Sequence, residues 1–165
     1  MELSRRALAD DLDALDLLAG DALDEQRGGR GGALLARRDS RPRPARAWLA
    51  DAIDDPTQLV LVGSIDLGPG MGEVPVGYAV GQIEVLRDGG RLAVVDELYV
   101  DPEARGVAVG EVLMDDVIEW ATEEGCFGID AMALPGNRAT KNFFERYGLT
   151  ARAIIVHKAL GGTGR

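Results

Sequence analysis

Only one cysteine, Cys126, and one histidine, His157, occur among the 165 residues. A lone cysteine excludes an internal disulfide and fits a reducing cytoplasm. No stretch approaches the roughly 20 consecutive apolar residues of a membrane span, which excludes a transmembrane helix. Met1–Ala9 begins with Glu2 and runs quickly into acid, so no basic start followed by an apolar block is present and no secretory signal is read. Basic residues are in the minority, 18 against 28 acids, for a net charge of -10. That balance argues against a duplex nucleic-acid partner, which calls for a basic face, and no membrane partner is expected. An acidic field draws in amines, although solubility alone explains it more simply. Internal repeats and a domain boundary are also absent. Residues 1–160 therefore read as one domain, with 161–165 as a flexible tail.

What is present alternates between helix and strand patterns. Residues 1–7 read as a strand, and Asp10 or Asp11 offers an N-cap for a first helix. Leu12, Leu15, Leu18, Ala19, Ala22 and Leu23 form its apolar face, and it stops near Arg27, before the glycine-rich Gly28–Gly32. That glycine run reads as a linker or as a flap over a substrate. The basic run Arg37, Arg38, Arg41, Arg43 and Arg46 reads first as a solvated loop and second as an anion contact. A second helix is predicted from Pro44 to Asp55. Strands follow at 58–65, 76–86 and 91–100, the last two joined by Asp88-Gly89-Gly90 as an antiparallel hairpin. Val109, Val112, Leu113, Val117, Trp120 and Ala121 recur at helical spacing. A strand is predicted over 127–134, a short helix over 137–147 and a final strand over 149–160. The fold class is α/β (α+β), a mixed, mostly antiparallel sheet flanked by helices.

The informative stretch is Val94–Gly110, where a strand ends, small residues turn, and an amphipathic helix begins. The first turn of a helix leaves backbone N–H groups without partners at the positive end of the dipole. With Gly106, Ala108 and Gly110 nearby, no bulky side chain shields those donors from a phosphate or pyrophosphate. No Lys-Ser or Lys-Thr follows the loop, so it is not a P-loop. It follows a meander rather than opening a βαβ unit, so the dinucleotide-binding fingerprint does not apply.

The sequence "DELYVDPEARGVAVGEVLM" followed by "NRATKNFFERYGL" resembles the two core motifs of the GNAT acetyltransferase superfamily. The resemblance implies a GNAT-like fold along residues 1–160, acetyl-CoA as co-substrate and a primary amine as acceptor. It implies that Leu98, Tyr99 and Val100 line the pantetheine arm with backbone groups. Arg105, Gly106, Val107, Ala108, Val109, Gly110 and Glu111 then stand around the pyrophosphate, and Asn137 against the cofactor arm. Phe144 stands where many members place a tyrosine that protonates the departing thiolate, and Tyr147 is the next hydroxyl along that helix. Ala108 replaces the usual first glycine of the loop, and Val107 a common Lys or Arg. The resemblance is compatible with a homodimer, though no exposed apolar stripe in the sequence demands one.

A carboxylate at the end of an apolar central strand suits a general base, because desolvation favours its proton-bound form. Alternation puts Val95, Glu97 and Tyr99 on one face and Asp96 and Leu98 on the other. Glu97 is the first choice, since the resemblance also places an acid there, and Asp96 the second. The competing reading is a paired structural carboxylate at a strand bulge. His157 and Cys126 read as packing or surface residues rather than catalytic groups. The function expected is acetyl transfer to a cationic small molecule or a protein amine by direct attack. The alternative is a non-catalytic acyl-CoA-binding or regulatory module that lacks the acid at Phe144.

Overall fold

The computed structural model describes residues 1–161, so most of the predicted tail, 162–165, lies outside the described residues. Among the described residues five strands form one sheet in chain order: β1 (Glu2–Arg6), β2 (Gln58–Asp66), β3 (Glu73–Val85), β4 (Arg91–Val100) and β5 (Gly128–Ala131). The first four are antiparallel neighbours, and β5 runs parallel to β4. Helices α1 (Leu12–Gly28), α2 (Gly32–Arg38) and α3 (Arg46–Asp54) precede β2, α4 (Val109–Glu123) lies between β4 and β5, and α5 (Arg138–Arg146) follows β5. The mixed, mostly antiparallel sheet with flanking helices is the architecture the sequence predicts. No helix among the described residues is long and apolar enough to cross a membrane.

Alternation along the strands divides the core in two. Val60, Val62, Tyr78, Val80 and Tyr99 face α1 and α3, burying the predicted stripe Leu12, Leu15, Leu18, Ala19 and Ala22. Leu59, Leu61, Ala79, Ala93 and Val95 face α4, against Val109, Leu113, Met114, Val117 and Trp120. Each fully buried leucine, such as Leu15, Leu49 or Leu113, contributes about 2–5 kcal/mol on the scale of truncation to alanine.

Four local readings change. Asp11 does not cap α1 with its side chain; it accepts two bonds from Arg5 and one from the Leu8 N–H, tying the end of β1 to the helix start. The glycine run gives a turn into the unforeseen α2, where a Cβ on Gly32 would fall 1.6 Å from the Gln26 carbonyl oxygen. Only glycine permits that approach. β5 is four residues, not eight: its pairing with β4 stops at Ala131 and Val95, and Pro135, which has no N–H, and Gly136 at φ +86° turn the chain before α5. The predicted strand over 149–160 does not form. Its β-branched residues favour a strand, but a strand needs a ladder partner, and this segment has none among the described residues.

Candidate active site

β4 carries the predicted carboxylates, and its pairing with β3 slips where they sit. Val80 pairs with Glu97 while Gly81 pairs with Val95, so Asp96 is an extra residue in a bulge. This corrects the expected faces. Val95 packs towards α4, whereas both Asp96 and Glu97 turn towards α1 and α3, on the side of Tyr99.

The two acids differ in what they have left to offer. Asp96 uses both oxygens, accepting from Arg41 Nη2 at 2.7 Å and from Gln82 Nε2 at 3.0 Å. Glu97 takes both its donors on Oε2, from the Tyr78 hydroxyl and from Arg43 Nη2 at 3.4 Å. Among the described residues no donor reaches Glu97 Oε1. The Tyr78 phenol is fully buried; desolvation first, and then the charge of Glu97, push its pKa well above the usual value, so it stays a donor.

Within the basic run Arg37, Arg38 and Arg46 are exposed, whereas Arg41 and Arg43 are half-buried and the anions they contact are the carboxylates of β4 itself. Arg43 donates from Nε to the Ala19 carbonyl at 2.8 Å and from Nη1 to the Arg41 carbonyl at 3.0 Å. The Arg41 and Arg43 guanidinium carbons lie 4.8 and 5.5 Å from the Trp48 ring centre. One short segment thus clamps both acids of β4 to α1 and α3. The sequence holds no signal for these pairings, since Arg41 and Arg43 precede their acids by 55 and 54 positions.

On its other flank β4 is open. The Asp101 N–H donates to the Val76 carbonyl at 2.8 Å, so by alternation Tyr99 and Glu97 make the ladder bonds with β3. The backbone groups of Leu98 and Val100 then point to the opposite edge. There β5 has already ended, its last pair with β4 being Ala131 with Val95. Beyond β4, Pro102–Ala104 form a short 3-10 turn, and Gly106 takes φ +94°. The first helical bond of α4 runs from Val112 N–H to the Ala108 carbonyl. The amides of Arg105 and Val109 bond within the loop, to Pro102 and Val107. Among the described residues, no acceptor meets the amides of Gly106, Val107, Ala108, Gly110 and Glu111. A row of unpaired donors at a helix start beside an open strand edge fits a long ligand ending in phosphates.

The remaining predicted residues sit around this opening. Arg105 donates to the Val100 carbonyl at 2.9 Å and to Glu25 at 2.6 Å, and lies over Tyr99. Burial first, then the charges of Glu25, Asp21 and Asp101, push the Tyr99 phenol up. A Cβ on Gly110 would lie 3.4 Å from Phe143, so Phe143 is the ring beside the loop, while Phe144 is buried in the core on the α4 side. Tyr147 donates its hydroxyl to the Glu111 carbonyl at 3.2 Å, and burial first, then Asp115 and Glu111, raise its pKa. Asn137 caps α5, its Oδ1 accepting from the Thr140 N–H at 3.1 Å. A Cβ on Gly29 or Gly31 would lie 3.7 or 3.9 Å from Leu134, so the α1–α2 turn sits close to the β5–α5 loop. Cys126 is half-buried on the α4 side, and His157 lies in the exposed 150–160 segment.

The sequence profile of the Acetyltransferase (GNAT) family matches residues 26–149. A thialysine N-epsilon-acetyltransferase of Bos taurus is 30% identical over 103 residues, 61% of this chain and 53% of that protein. The chain therefore spans about half the length of that curated relative. An acetyltransferase of Trypanosoma brucei superposes with TM-score 0.66 at 20% identity, covering 97% of this chain and 100% of that one. AAC(6')-Iy, solved with the bisubstrate analog CoA-S-monomethyl-acetylneamine, superposes with TM-score 0.70 at 17% identity, covering 97% and 99%.

Proposed function

The chain belongs to the GNAT acetyltransferase family, and from that premise we propose that it moves an acetyl group from acetyl-CoA to the primary amine of a small cationic acceptor by direct attack. The observation that carries this reading is on β4: within four residues it presents the unengaged Oε1 of Glu97 on one flank and, on the other, the open backbone of Leu98 and the N–H of Val100, whose carbonyl Arg105 takes. Acetyl-CoA supplies a thioester carbon that an uncharged amine can attack. The amides of Gly106, Val107, Ala108, Gly110 and Glu111 hold its pyrophosphate at the α4 dipole. Leu98 and Val100 align the pantetheine arm along the strand edge. Glu97 Oε1 takes the proton from the incoming ammonium, directly or through one water, while Tyr78 and Arg43 fix the carboxylate. Asp96, with both oxygens engaged, positions the bulge.

Asp21 and Asp101, whose charges act on Tyr99, favour a cationic acceptor on the α1 side, where Glu25 is already paired with Arg105. Thialysine-like amino acids, polyamines and amino sugars belong to that class, and a protein amine is the larger alternative. A second reading, acyl-CoA binding without turnover, draws on Phe144, which is buried and carries no hydroxyl.

Calorimetric titration with acetyl-CoA and free CoA, followed by thiol release across an amine panel, tests both readings. Binding with thiol released one for one with acetylated amine is the expected result. Binding without turnover across the panel would favour the second reading. Acetylated enzyme accumulating without acceptor would contradict direct attack.

A further inference from the structure

Within the loop that offers its amides, Arg105 is the only cation: residues 101–111 otherwise carry the acids Asp101, Glu103 and Glu111. An anion drawn to those amides therefore has one guanidinium from the loop itself, next in sequence to the unpaired Gly106 amide. That guanidinium is already shared between two acceptors. Nε donates to the Val100 carbonyl at 2.9 Å, and Nη2 donates to Glu25 Oε2 at 2.6 Å. Nη1 meets no acceptor among the described residues, and the group lies 5.6 Å from the centre of the Tyr99 ring.

The two acceptors belong to opposite halves of the site. The Val100 carbonyl lies on the open edge of β4, along which the pantetheine arm is to run. Glu25 lies on α1, 80 positions away, one helical turn beyond Asp21. Asp21 and Glu25 therefore share a face of the helix, and the charges of both act on Tyr99. A single side chain thus ties the acceptor side to the cofactor side.

The tie is of a kind that a phosphate breaks. Arg105 and Glu25 are 45% and 42% exposed, so water screens the pair and it holds weakly. A pyrophosphate on the adjacent amides offers the planar guanidinium several charged oxygens, which it can meet two at a time.

We propose that Arg105 is a latch with two positions: in one it holds Glu25 and the Val100 carbonyl, and in the other it turns to the pyrophosphate of CoA, releasing Glu25 beside Asp21 to receive the ammonium of the acceptor. The latch rests on the acetyl-transfer reading and adds to it a coupling between the two substrates. By linkage, whatever CoA gains from Arg105 at the expense of Glu25, the acceptor gains in return. Glu25 is then a specificity-determining residue that acts only once the cofactor is in place.

Calorimetric titration of the full chain with CoA tests the latch through a double-mutant cycle of Glu25→Gln and Arg105→Gln. Glu25→Gln frees the guanidinium and should tighten CoA about two- to fivefold, the range of one exposed ion pair. Arg105→Gln should weaken CoA about fivefold or more, and adding Glu25→Gln to it should change nothing further. At saturating acetyl-CoA, Glu25→Gln should raise the KM of the amine about tenfold, with a smaller change in kcat. A Glu25→Gln variant with unchanged CoA affinity, or one that tightens CoA equally with and without Arg105, would overturn the latch, the latter being a mere field effect of the lost charge. Those failures leave acetyl transfer standing, whereas a wild-type protein that binds no CoA would remove the acetyl-transfer reading and the latch with it.

Discussion

On the flank of β4 that faces α1 and α3, Asp96 and Glu97 meet four donors, from Arg41, Gln82, Tyr78 and Arg43. On the flank that opens towards α4 and α5, five amides of the following loop and the backbone edge at Leu98 have no acceptor among the described residues. The difference follows from the cost of each group. A carboxylate in a half-buried bulge must be paired by the protein itself, or it loses its charge or its place. Amides at an exposed helix start can be satisfied by water until an anion displaces it, so the chain leaves them without side-chain partners. One flank is made rigid by internal pairing, and the other is left for a ligand to complete.

The largest effect should come from removing the one carboxylate oxygen that the rigid flank leaves unengaged. Glu97→Gln keeps shape and can still accept from Tyr78, yet cannot take a proton from an amine. We expect kcat to fall about 100-fold or more, with little change in acetyl-CoA affinity. Asp96→Asn should cost less, because neither Asp96 oxygen is available to the acceptor. Steady-state kinetics of the two variants checks the comparison, and a larger loss for Asp96→Asn would exchange their roles.

The open flank can be tested by moving affinity and stability in opposite directions. Ala108 is the exposed N-cap residue of α4. An acid there suits the helix dipole, worth about 0.3–1 kcal/mol, but repels a pyrophosphate at the same amides. Ala108→Glu should therefore weaken acetyl-CoA about tenfold or more while thermal stability holds or rises. Val107→Lys, at an exposed position of the same loop, should tighten binding in a salt-sensitive way. Calorimetry and thermal melts on the same samples read both quantities, and parallel losses in Ala108→Glu would mean a damaged fold rather than a blocked site.

Between these in kind, and smaller in size, is the support given to Glu97. Tyr78→Phe removes a buried donor from Oε2 and leaves Arg43 alone at 3.4 Å. A hydrogen bond to a charged group contributes roughly 1.5–3 kcal/mol, so stability should drop by about 2 kcal/mol and kcat by about tenfold. Denaturant melts and kinetics would show it, and a variant with unchanged kcat would reduce Tyr78 to packing.

Much of this was legible in the sequence, for a physical reason. Where one residue's periodicity decides its surroundings, as in the stripe from Leu12 to Leu23 or the strand Arg91–Val100, the pattern predicts the element to within a few residues. The loop from Arg105 to Gly110 was legible because small residues at a helix start have a direct consequence for backbone donors. What escaped depends on partners far away in the chain. The bulge at Asp96 is a mismatch between two strands, so alternation along β4 alone assigned Val95 and Glu97 to one face. Arg41 and Arg43 looked solvated because nothing local marks the acids that receive them. The segment 149–160 failed for the complementary reason: its composition asks for a strand, and strand formation depends on an edge that its own sheet does not bring to it.

The smallest effect is expected at Tyr147, where the two flanks make different demands on one hydroxyl. A general acid would have to face the sulfur leaving the β4 edge, and its proton transfer would contribute about 100-fold or more. The hydroxyl instead donates to the Glu111 carbonyl at 3.2 Å, on the first turn of α4, with its ring 5.3 Å from Phe143. Burial and the nearby Asp115 and Glu111 raise its pKa above the usual 10.0, so the phenol stays protonated through neutral and mildly alkaline pH. Its ionisation therefore contributes no alkaline limb to the rate in that range. Tyr147→Phe should lower kcat by no more than about threefold and leave the pH–rate profile of the wild-type protein in place. If the loss instead reaches about 100-fold and is largest with poor leaving groups, the hydroxyl swings from Glu111 to the thiolate during turnover, and Tyr147 is the acid that Phe144 is not.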